Sequence, residues 1–167
     1  MLGDPNFART VVLVTEHGVD GAMGIVLNRP SGHSIGESVA ELAGMLGDQP
    51  LWVGGPVQPN AVVVLAEFSD PSAAAWLVVA DVGFLGADHD VEEIARSTRR
   101  ARIYAGYSGW GPGQLEAELE REDWIVEAPI PRELFPEDPE TLWADVLGRM
   151  GGQYTLISKM PEDPSVN

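Results

Sequence analysis

The sequence predicts a single α+β domain in which a largely antiparallel sheet is accompanied by about four helices. The chain has 167 residues, 44% of them hydrophobic and 22% charged, which fits one globular domain. Short uninterrupted apolar runs are typical of buried strands, and other segments place apolar residues every three or four positions, as helices do. No repeat or low-complexity linker divides residues 1–167, and the end of the chain, 160–167, is predicted to be a flexible tail.

The first predicted element is an antiparallel hairpin. Apolar runs at 10–15 and 22–27 are separated by a polar, glycine-containing stretch at 16–21, which is a spacing that suits a hairpin turn. Pro30 has no backbone N–H to donate to a neighbouring strand, so we expect it to end the second strand.

The remaining elements follow from the same kinds of pattern. Ser34 and Glu37 form a capping-box pair ahead of apolar residues at helical spacing, which predicts that the first helix begins there. A glycine-dense stretch at 106–113 is predicted to be a turn that leads directly into a helix. The predicted helices are 34–46, 90–99, 114–119 and 139–150, and the further strands are 51–53, 61–66, 76–80 and 102–107.

Composition argues against several classes of function. The formal net charge of -16, from 26 acidic and 10 basic residues, repels nucleic-acid phosphates and anionic lipid alike. We therefore expect no direct nucleic-acid partner and no membrane partner, and no apolar run approaches the roughly 18 residues that span a bilayer. Cysteine is absent, so there is no disulfide and no thiolate chemistry. The first residues show no export signal, and a cytoplasmic location is expected.

A serine motif offers an enzymatic alternative. The sequence GHSIG, from Gly32 to Gly36, matches the G-x-S-x-G nucleophile motif between a predicted strand and a predicted helix. Downstream acids and His89 would complete a catalytic triad with Ser34 in the order serine, acid, histidine. Pro30 lengthens the turn beyond a tight elbow, and Ser34 already has a structural use as a helix N-cap. We therefore favour the structural interpretation over a small serine hydrolase.

The sequence gives little support for a metal site. Asp88, His89 and Asp90, with His17 or His33, have side chains that bind divalent ions. Adjacent residues rarely point at one ion, and either aspartate would serve as the N-cap of the following helix. We predict no metal and no other cofactor.

The basic residues form one cluster, which contains Arg96, Arg99, Arg100 and Arg102. An anionic ligand or partner could bind there through bidentate contacts. The interpretation that we favour is that these cations lie at a helix C-terminus, where they complement the helix dipole.

The aromatic and glycine-rich stretch around Trp110 is the most unusual segment. It lies just before a predicted helix whose first N–H groups are free, and such a helix end can hold an anion or a carboxylate. Tight packing of glycines under Tyr107 and Trp110 explains the same composition equally well.

Five blocks occur in order along the chain: DPNF with RTVV (4–12), EH (16–17), GAMGIVLNRP (21–30), GGPV (54–57) and GYSGWGPGQLE (106–116). Their order and spacing resemble those of the YqgE/AlgH family over residues 4–143. The resemblance implies a bacterial protein of a largely uncharacterised family, with an α+β fold and a strongly bent sheet. Some members are named as transcriptional regulators of alginate synthesis, but no catalytic residue is carried over.

One departure from the family leads to an expectation about assembly. Members usually have a further apolar strand ahead of the DPNF block, where this chain has only Met1, Leu2 and Gly3. If that strand normally pairs in the sheet, its neighbour is left with unpaired backbone groups, which tend to recruit another chain. We expect either a homo-oligomer formed through this edge or a loss of stability.

The sequence therefore predicts an α+β domain with a curved, largely antiparallel sheet that acts as a non-enzymatic binding or regulatory module. Its ligand is a small molecule or a protein of unknown identity. A transcriptional regulator that acts through a protein partner and a hydrolase using Ser34 are the alternatives. Polar and aromatic residues at strand ends and turns often bind ligands, and the predicted site residues are His17, Asn28, Arg29, Trp110, Gln114 and Glu116.

Overall fold

The computed structural model describes residues 5–38, 43, 47, 49–86 and 96–160. Within this part, the strands are β1 (Val12–Gly18), β2 (Gly21–Val26), β3 (Pro30–Ser34), β4 (Pro50–Val53), β5 (Val57–Phe68), β6 (Trp76–Val79), β7 (Val82–Phe84) and β8 (Thr98–Trp110). The α-helices are α1 (Ile35–Ser38), α2 (Gln114–Glu120), α3 (Pro131–Leu134), α4 (Leu142–Met150) and α5 (Gln153–Ser158). Single 3-10 turns occupy Pro5–Phe7 and Pro71–Ala73.

The eight strands form one curved, largely antiparallel sheet, which confirms the predicted fold class. Its order is β1-β2-β8-β5-β7-β6, and β4 adds to β8 as the one parallel pair among the described strands. The long strand β8 is central, because β5 pairs along one of its edges while β4 and β2 share the other. Register shifts within the β1–β2, β5–β8 and β6–β7 pairs bend the strands, as bulges do.

The predicted hairpin is confirmed, although its turn is shorter than expected. Strands β1 and β2 pair antiparallel from Val12 opposite Val26 to Gly18 opposite Gly21. Residues 16–18 therefore belong to β1 rather than to the turn. Pro30 also differs from expectation, because it begins β3 instead of simply ending the ladder. The first residue of a strand is a position where the missing N–H of proline is tolerated.

The glycine-dense stretch at 106–113 is not a turn in its first half, since β8 continues without interruption to Trp110. Glycine is needed there because two chain segments approach each other closely. A Cβ on Gly54 would lie 2.3 Å from the Gly106 carbonyl oxygen, and a Cβ on Gly106 would lie 2.7 Å from the Gly55 oxygen. Gly106 also has a φ of +68°, which other residues rarely adopt. The glycines thus permit the close approach of β8 to the segment that follows β4.

The predicted helices agree with the structure in part. Helix α1 begins at Ile35, after Ser34, and α2 and α4 correspond to the predicted segments 114–119 and 139–150. Most of the predicted helix 90–99 lies outside the described residues, and its end is wrong, because β8 begins at Thr98. The tail at 161–167 and the cluster at 88–90 also lie outside the described residues.

The main core joins the hairpin, the centre of the sheet and the C-terminal helices. Leu13, Ile25 and Leu27 come from the hairpin and its end, and they pack with buried residues of β4, β5, β7, β8, α3 and α4. Those further residues are Trp52, Leu65, Val82, Phe84, Tyr104, Leu134, Phe135 and Leu142. The core ends before the tip of the hairpin, where Val19 is almost fully exposed. The hairpin tip and the end of β8 are therefore left at the surface.

No helix among the described residues has the length and apolar character needed to cross a bilayer.

Candidate functional site

Four of the six predicted site residues meet where the hairpin tip reaches the end of β8 and the start of α2. His17 is the register partner of Ala22, and Ala22 is the register partner of Trp110. Gln114 begins α2 four residues after Trp110, and Glu116 lies in the first turn of that helix. The fold thus brings residues that are about 100 positions apart in the sequence to one corner of the sheet.

His17 and Glu116 form a direct contact across this corner. The distance between His17 Nε2 and Glu116 Oε1 is 2.7 Å, and both side chains are about half exposed. The pKa of Glu116 is lowered, first by a hydrogen bond from its own backbone N–H and then by the one from His17. This contact ties the hairpin to α2.

Glu118 organises the buried side of the same corner, and sequence reasoning missed it. Its Oε2 accepts hydrogen bonds from Trp110 Nε1 at 2.9 Å and from Trp124 Nε1 at 2.7 Å, and its Oε1 accepts one from Gln114 Nε2 at 3.0 Å. Glu118 is 8% exposed, and burial acts to raise its pKa. The hydrogen bonds from Trp124, Gln114 and Trp110 outweigh burial, so the pKa is lowered overall and the carboxylate stays ionised.

The polar groups of Gln114 and Trp110 are therefore used within the protein. Besides its bond to Glu118, Gln114 accepts a hydrogen bond from the Gly111 N–H through Oε1 at 3.0 Å. The Trp110 ring is 7% exposed and packs against Phe7 and Trp124, with ring centroids 6.3 and 5.8 Å apart. These two residues build the wall of the corner, and their polar groups are not free for a ligand.

Asn28 and Arg29 lie elsewhere, and they hold the N-terminal segment. Asn28 accepts a hydrogen bond from the Val11 N–H at 2.9 Å and donates one to the Arg9 carbonyl at 3.0 Å. Arg29 donates to the Asn6 carbonyl at 2.5 Å. Asn28 lies six residues after Ala22, the strand β2 residue that pairs with both His17 and Trp110. Six residues of extended chain span about 20 Å. The predicted set therefore divides into two places, and a shared ligand contact is not supported by the geometry.

A shallow groove runs beside the hairpin tip, and we call it the hairpin groove. Its volume is about 450 Å³, which is within the range of small-molecule sites. Most of its surface is apolar, and the acidic residues Glu16 and Asp20 are among the residues that line it. Its lining residues are Glu16, Asp20, Gly21, Ala22, Met23, Val57, Tyr107, Gly109 and Trp110. Trp110 is the one predicted site residue that lines it.

Backbone packing fixes the shape of the hairpin groove. A Cβ on Gly21 would lie 2.2 Å from the Trp110 carbonyl oxygen, and Gly21 has a φ of +125°. Any other residue at Gly21 would push the hairpin away from β8. The groove is thus held between a glycine contact on one side and the Glu118 hydrogen bonds on the other.

Ser34 has no triad geometry in the described part of the chain. Its backbone N–H donates to Glu37 Oε2 at 3.1 Å, which is the glutamate half of the predicted capping box. His33 also contacts Glu37, with 3.4 Å between Nδ1 and Oε2. No described histidine or acid bonds to the Ser34 hydroxyl. Likewise, no group of three or more metal-ligating side chains occurs among the described residues.

Three of the four arginines of the cluster lie on a strand, which corrects the expectation of a helix C-terminus for them, whereas Arg96 lies in the helical segment 96–97 just before that strand. Arg99, Arg100 and Arg102 belong to β8. Arg99 contacts Asp81 and Glu67, and Arg100 Nε donates to Glu67 Oε2 at 2.5 Å. Two of the three cations are therefore neutralised by acids of strand β5 and of the turn between β6 and β7.

The chain is similar in sequence to known bacterial proteins over nearly its whole length. A family model described as AlgH-like matches residues 1–155. A UPF0301 protein of Streptomyces coelicolor is 36% identical over 173 residues, which cover 99% of this chain and 90% of that protein. A UPF0301 protein of Mycobacterium tuberculosis is 36% identical over 170 residues, which cover 98% of this chain and 84% of that protein.

Solved structures show the same similarity in three dimensions. A crystal structure of a protein from Corynebacterium diphtheriae has a TM-score of 0.83 at 27% identity, covering 95% of this chain and 86% of that one. The solution structure of the AlgH protein from Pseudomonas aeruginosa has a TM-score of 0.72 at 31% identity, covering 96% of this chain and 88% of that one.

Proposed function

The chain belongs to the AlgH-like family, and we propose that it is a non-enzymatic binding or regulatory module that receives its ligand in the hairpin groove. The family assignment confirms the resemblance seen in the sequence blocks. We also propose a cytoplasmic location, in keeping with a chain that has no cysteine for disulfide bonds.

The proposal rests on the composition of the hairpin groove, which combines apolar and aromatic side chains with backbone polar groups. Tyr107, Trp110, Met23 and Val57 supply an apolar and aromatic surface next to backbone groups of β2 and β8. Binding sites are commonly concave and mostly apolar, with a few polar groups that fix the orientation of the ligand. The hairpin groove has this composition at a volume of about 450 Å³.

Charge indicates which ligands the groove prefers. Glu16 and Asp20 line the groove, and neither carboxylate has an ion-pair partner in the described part of the chain. The protein carries a formal net charge of -16, which attracts cations and repels anions. Aromatic faces also attract cations. The ligand that fits best is a cation with an apolar body, such as an organic amine or a basic side chain of a protein partner.

The walls of the groove are held in place before any ligand arrives. The Glu118 carboxylate fixes Trp110 through a charged hydrogen bond, and Gly21 fixes the distance between β2 and β8. A site that is ordered in advance loses less conformational entropy on binding. This rigidity supports a binding role for the corner.

The proposal is tested with a polyamine of defined chemistry. Spermidine binding is measured by calorimetry for the parent protein and for a double variant, Glu16→Gln with Asp20→Asn. The matched control is a second double variant, Glu120→Gln with Glu122→Gln, which removes two exposed acids at the end of α2 and just after it. We expect the control to bind like the parent and the first double variant to lose at least tenfold in affinity, which is about 1.4 kcal/mol.

A steric variant separates binding in the groove from general attraction to an acidic surface. A Cβ at Gly109 would lie 3.4 Å from Val57 Cγ2 and 3.6 Å from Tyr107 Cε2, so Gly109→Ala adds a methyl group to the groove without a clash. The charge is unchanged, and binding should still weaken. If the parent does not bind spermidine, or if all variants bind it equally, the groove is not the ligand site.

A further inference from the structure

Two acidic residues line the hairpin groove, and the strand register gives their spacing. Glu16 of β1 is the register partner of Met23, and Gly18, two residues further along β1, is the partner of Gly21. Asp20 immediately precedes Gly21, so it lies one step beyond the last paired level of the hairpin. Three steps of about 3.3 Å therefore separate the levels of Glu16 and Asp20, which is about 10 Å along the hairpin.

The surface of the groove between these two levels carries no charge. Residues 21–23 of β2 are glycine, alanine and methionine, and all three line the groove. On the neighbouring strand, Gly109 is the register partner of Met23 and has no side chain to fill the space. A Cβ at Gly109 would lie in ordinary contact with Val57 Cγ2 and Tyr107 Cε2. The groove between the two acids therefore suits an unbranched chain of methylene groups.

Both acids are available to a cationic ligand. Glu16 and Asp20 are exposed, and the described part of the chain supplies neither with an ion-pair partner. The nearby His17 contacts Glu116 of α2 instead. A ligand with one cationic group, such as a lysine or arginine side chain of a protein, satisfies only one of the two acids. A ligand with a cationic group at each end of an apolar chain satisfies both, and its second contact forms within the complex.

We infer that the hairpin groove binds a linear aliphatic diamine, with one ammonium group at Glu16, the other at Asp20 and the methylene chain along residues 21–23. This inference rests on the proposed function, since it names the class of ligand for the same groove. Each bond of an extended chain advances about 1.2 Å, so the nitrogens of 1,7-diaminoheptane lie about 10 Å apart. Those of 1,3-diaminopropane lie about 5 Å apart, which is short of the separation of the two acids.

The test compares each diamine with the monoamine of the same chain length, by calorimetry on the full chain. The gain in affinity of 1,7-diaminoheptane over heptylamine should be about fivefold, as one further exposed ion pair provides. The gain of 1,3-diaminopropane over propylamine should be no more than about twofold, because the short diamine reports only the general attraction of cations to an acidic protein. The two diamines carry the same charge, so the difference between their gains isolates the spacing.

Single variants test whether the two acids act as a pair. In Glu16→Gln and in Asp20→Asn, 1,7-diaminoheptane should bind no more tightly than heptylamine does. Heptylamine itself should lose at most about twofold in each variant, because either carboxylate can hold its one ammonium group. Glu122→Gln removes an exposed acid that does not line the groove, and it should leave the gain of the long diamine unchanged.

The outcomes separate this inference from the proposed function. If heptylamine and 1,7-diaminoheptane bind the parent equally, or if the short diamine gains as much as the long one, the two acids do not act as a pair. The inference is then wrong, while the groove remains an amine site. A gain of the long diamine that survives both single variants overturns the inference as well. If neither amine binds the parent, the inference is wrong, and the response to spermidine decides whether the proposed function fails with it.

Discussion

The buried carboxylate of Glu118 gives the sharpest stability prediction. In Glu118→Gln, the amide keeps one accepting oxygen, so at least one of the three hydrogen bonds from Trp110, Trp124 and Gln114 is lost. The bonds that remain lose their charge assistance. Hydrogen bonds to charged groups contribute about 1.5–3 kcal/mol and neutral ones about 0.5–1.5 kcal/mol, so the free energy of unfolding should fall by about 2–4 kcal/mol.

Urea unfolding followed by tryptophan fluorescence measures this difference, with Glu120→Gln as the exposed control on the same helix. The control should change the free energy of unfolding by less than about 0.5 kcal/mol. If Glu118→Gln is no more destabilising than Glu120→Gln, the carboxylate does not hold the corner together and the argument fails.

The same residue predicts a pH dependence with a definite sign. The pKa of Glu118 is lower in the folded protein than its ordinary value of 4.5. Its ionisation therefore stabilises the fold above pH 4.5, and this contribution is lost as the pH falls from there through the folded-state pKa. The stability difference between the parent and Glu118→Gln should be constant near neutral pH and shrink on acidification. A difference that grows with acid would contradict the assigned hydrogen bonds.

Three further predictions follow from other parts of the fold. Glu37→Ala should lower the free energy of unfolding by about 1 kcal/mol and Ser34→Ala by less, because the glutamate side chain accepts the capping hydrogen bond from the Ser34 N–H. Equal losses of stability of the two variants in thermal melting would contradict this. We propose self-association through the outer edge of β1, which pairs with no other described strand. Val14→Lys, at a residue of β1 that is 41% exposed, should shift sedimentation toward monomer, and a parent that is already monomeric refutes it. Because of its net charge of -16, the protein should not bind duplex DNA in an anisotropy titration. Sub-micromolar binding that weakens with salt would overturn this prediction.

Local patterns were enough to predict the elements that are long or closed by short turns. The β1–β2 hairpin and helix α4 are visible in apolar spacing, and each is set mainly by contacts close in sequence. Strand β7 and helices α3 and α5 have three, four and six residues, too few to show a period. The sequence predicts too short a strand for β8, because its glycines suggest a turn. Their close contact with the segment after β4 cannot be read from the sequence.

The candidate site was predicted only in part, for a related reason. The chemistry of His17 and Glu116 predicts a site, but their contact joins residues 99 positions apart and depends on how β8 passes the hairpin. Asn28 and Arg29 also have the chemistry of binding residues, but their hydrogen bonds anchor the N-terminal segment. Glu118 was missed, although a glutamate four residues after Gln114 on one helix face was the available signal.

The most direct test of the binding proposal is a residue-resolved NMR titration of the labelled parent protein with spermidine. Saturable amide shifts are predicted for Gly21, Ala22, Gly109 and Trp110, which surround the hairpin groove, and these shifts should weaken in Gly109→Ala. Shifts that never saturate, or that follow the exposed acids of the C-terminal helices instead, would show general ion attraction and contradict a ligand site in the groove.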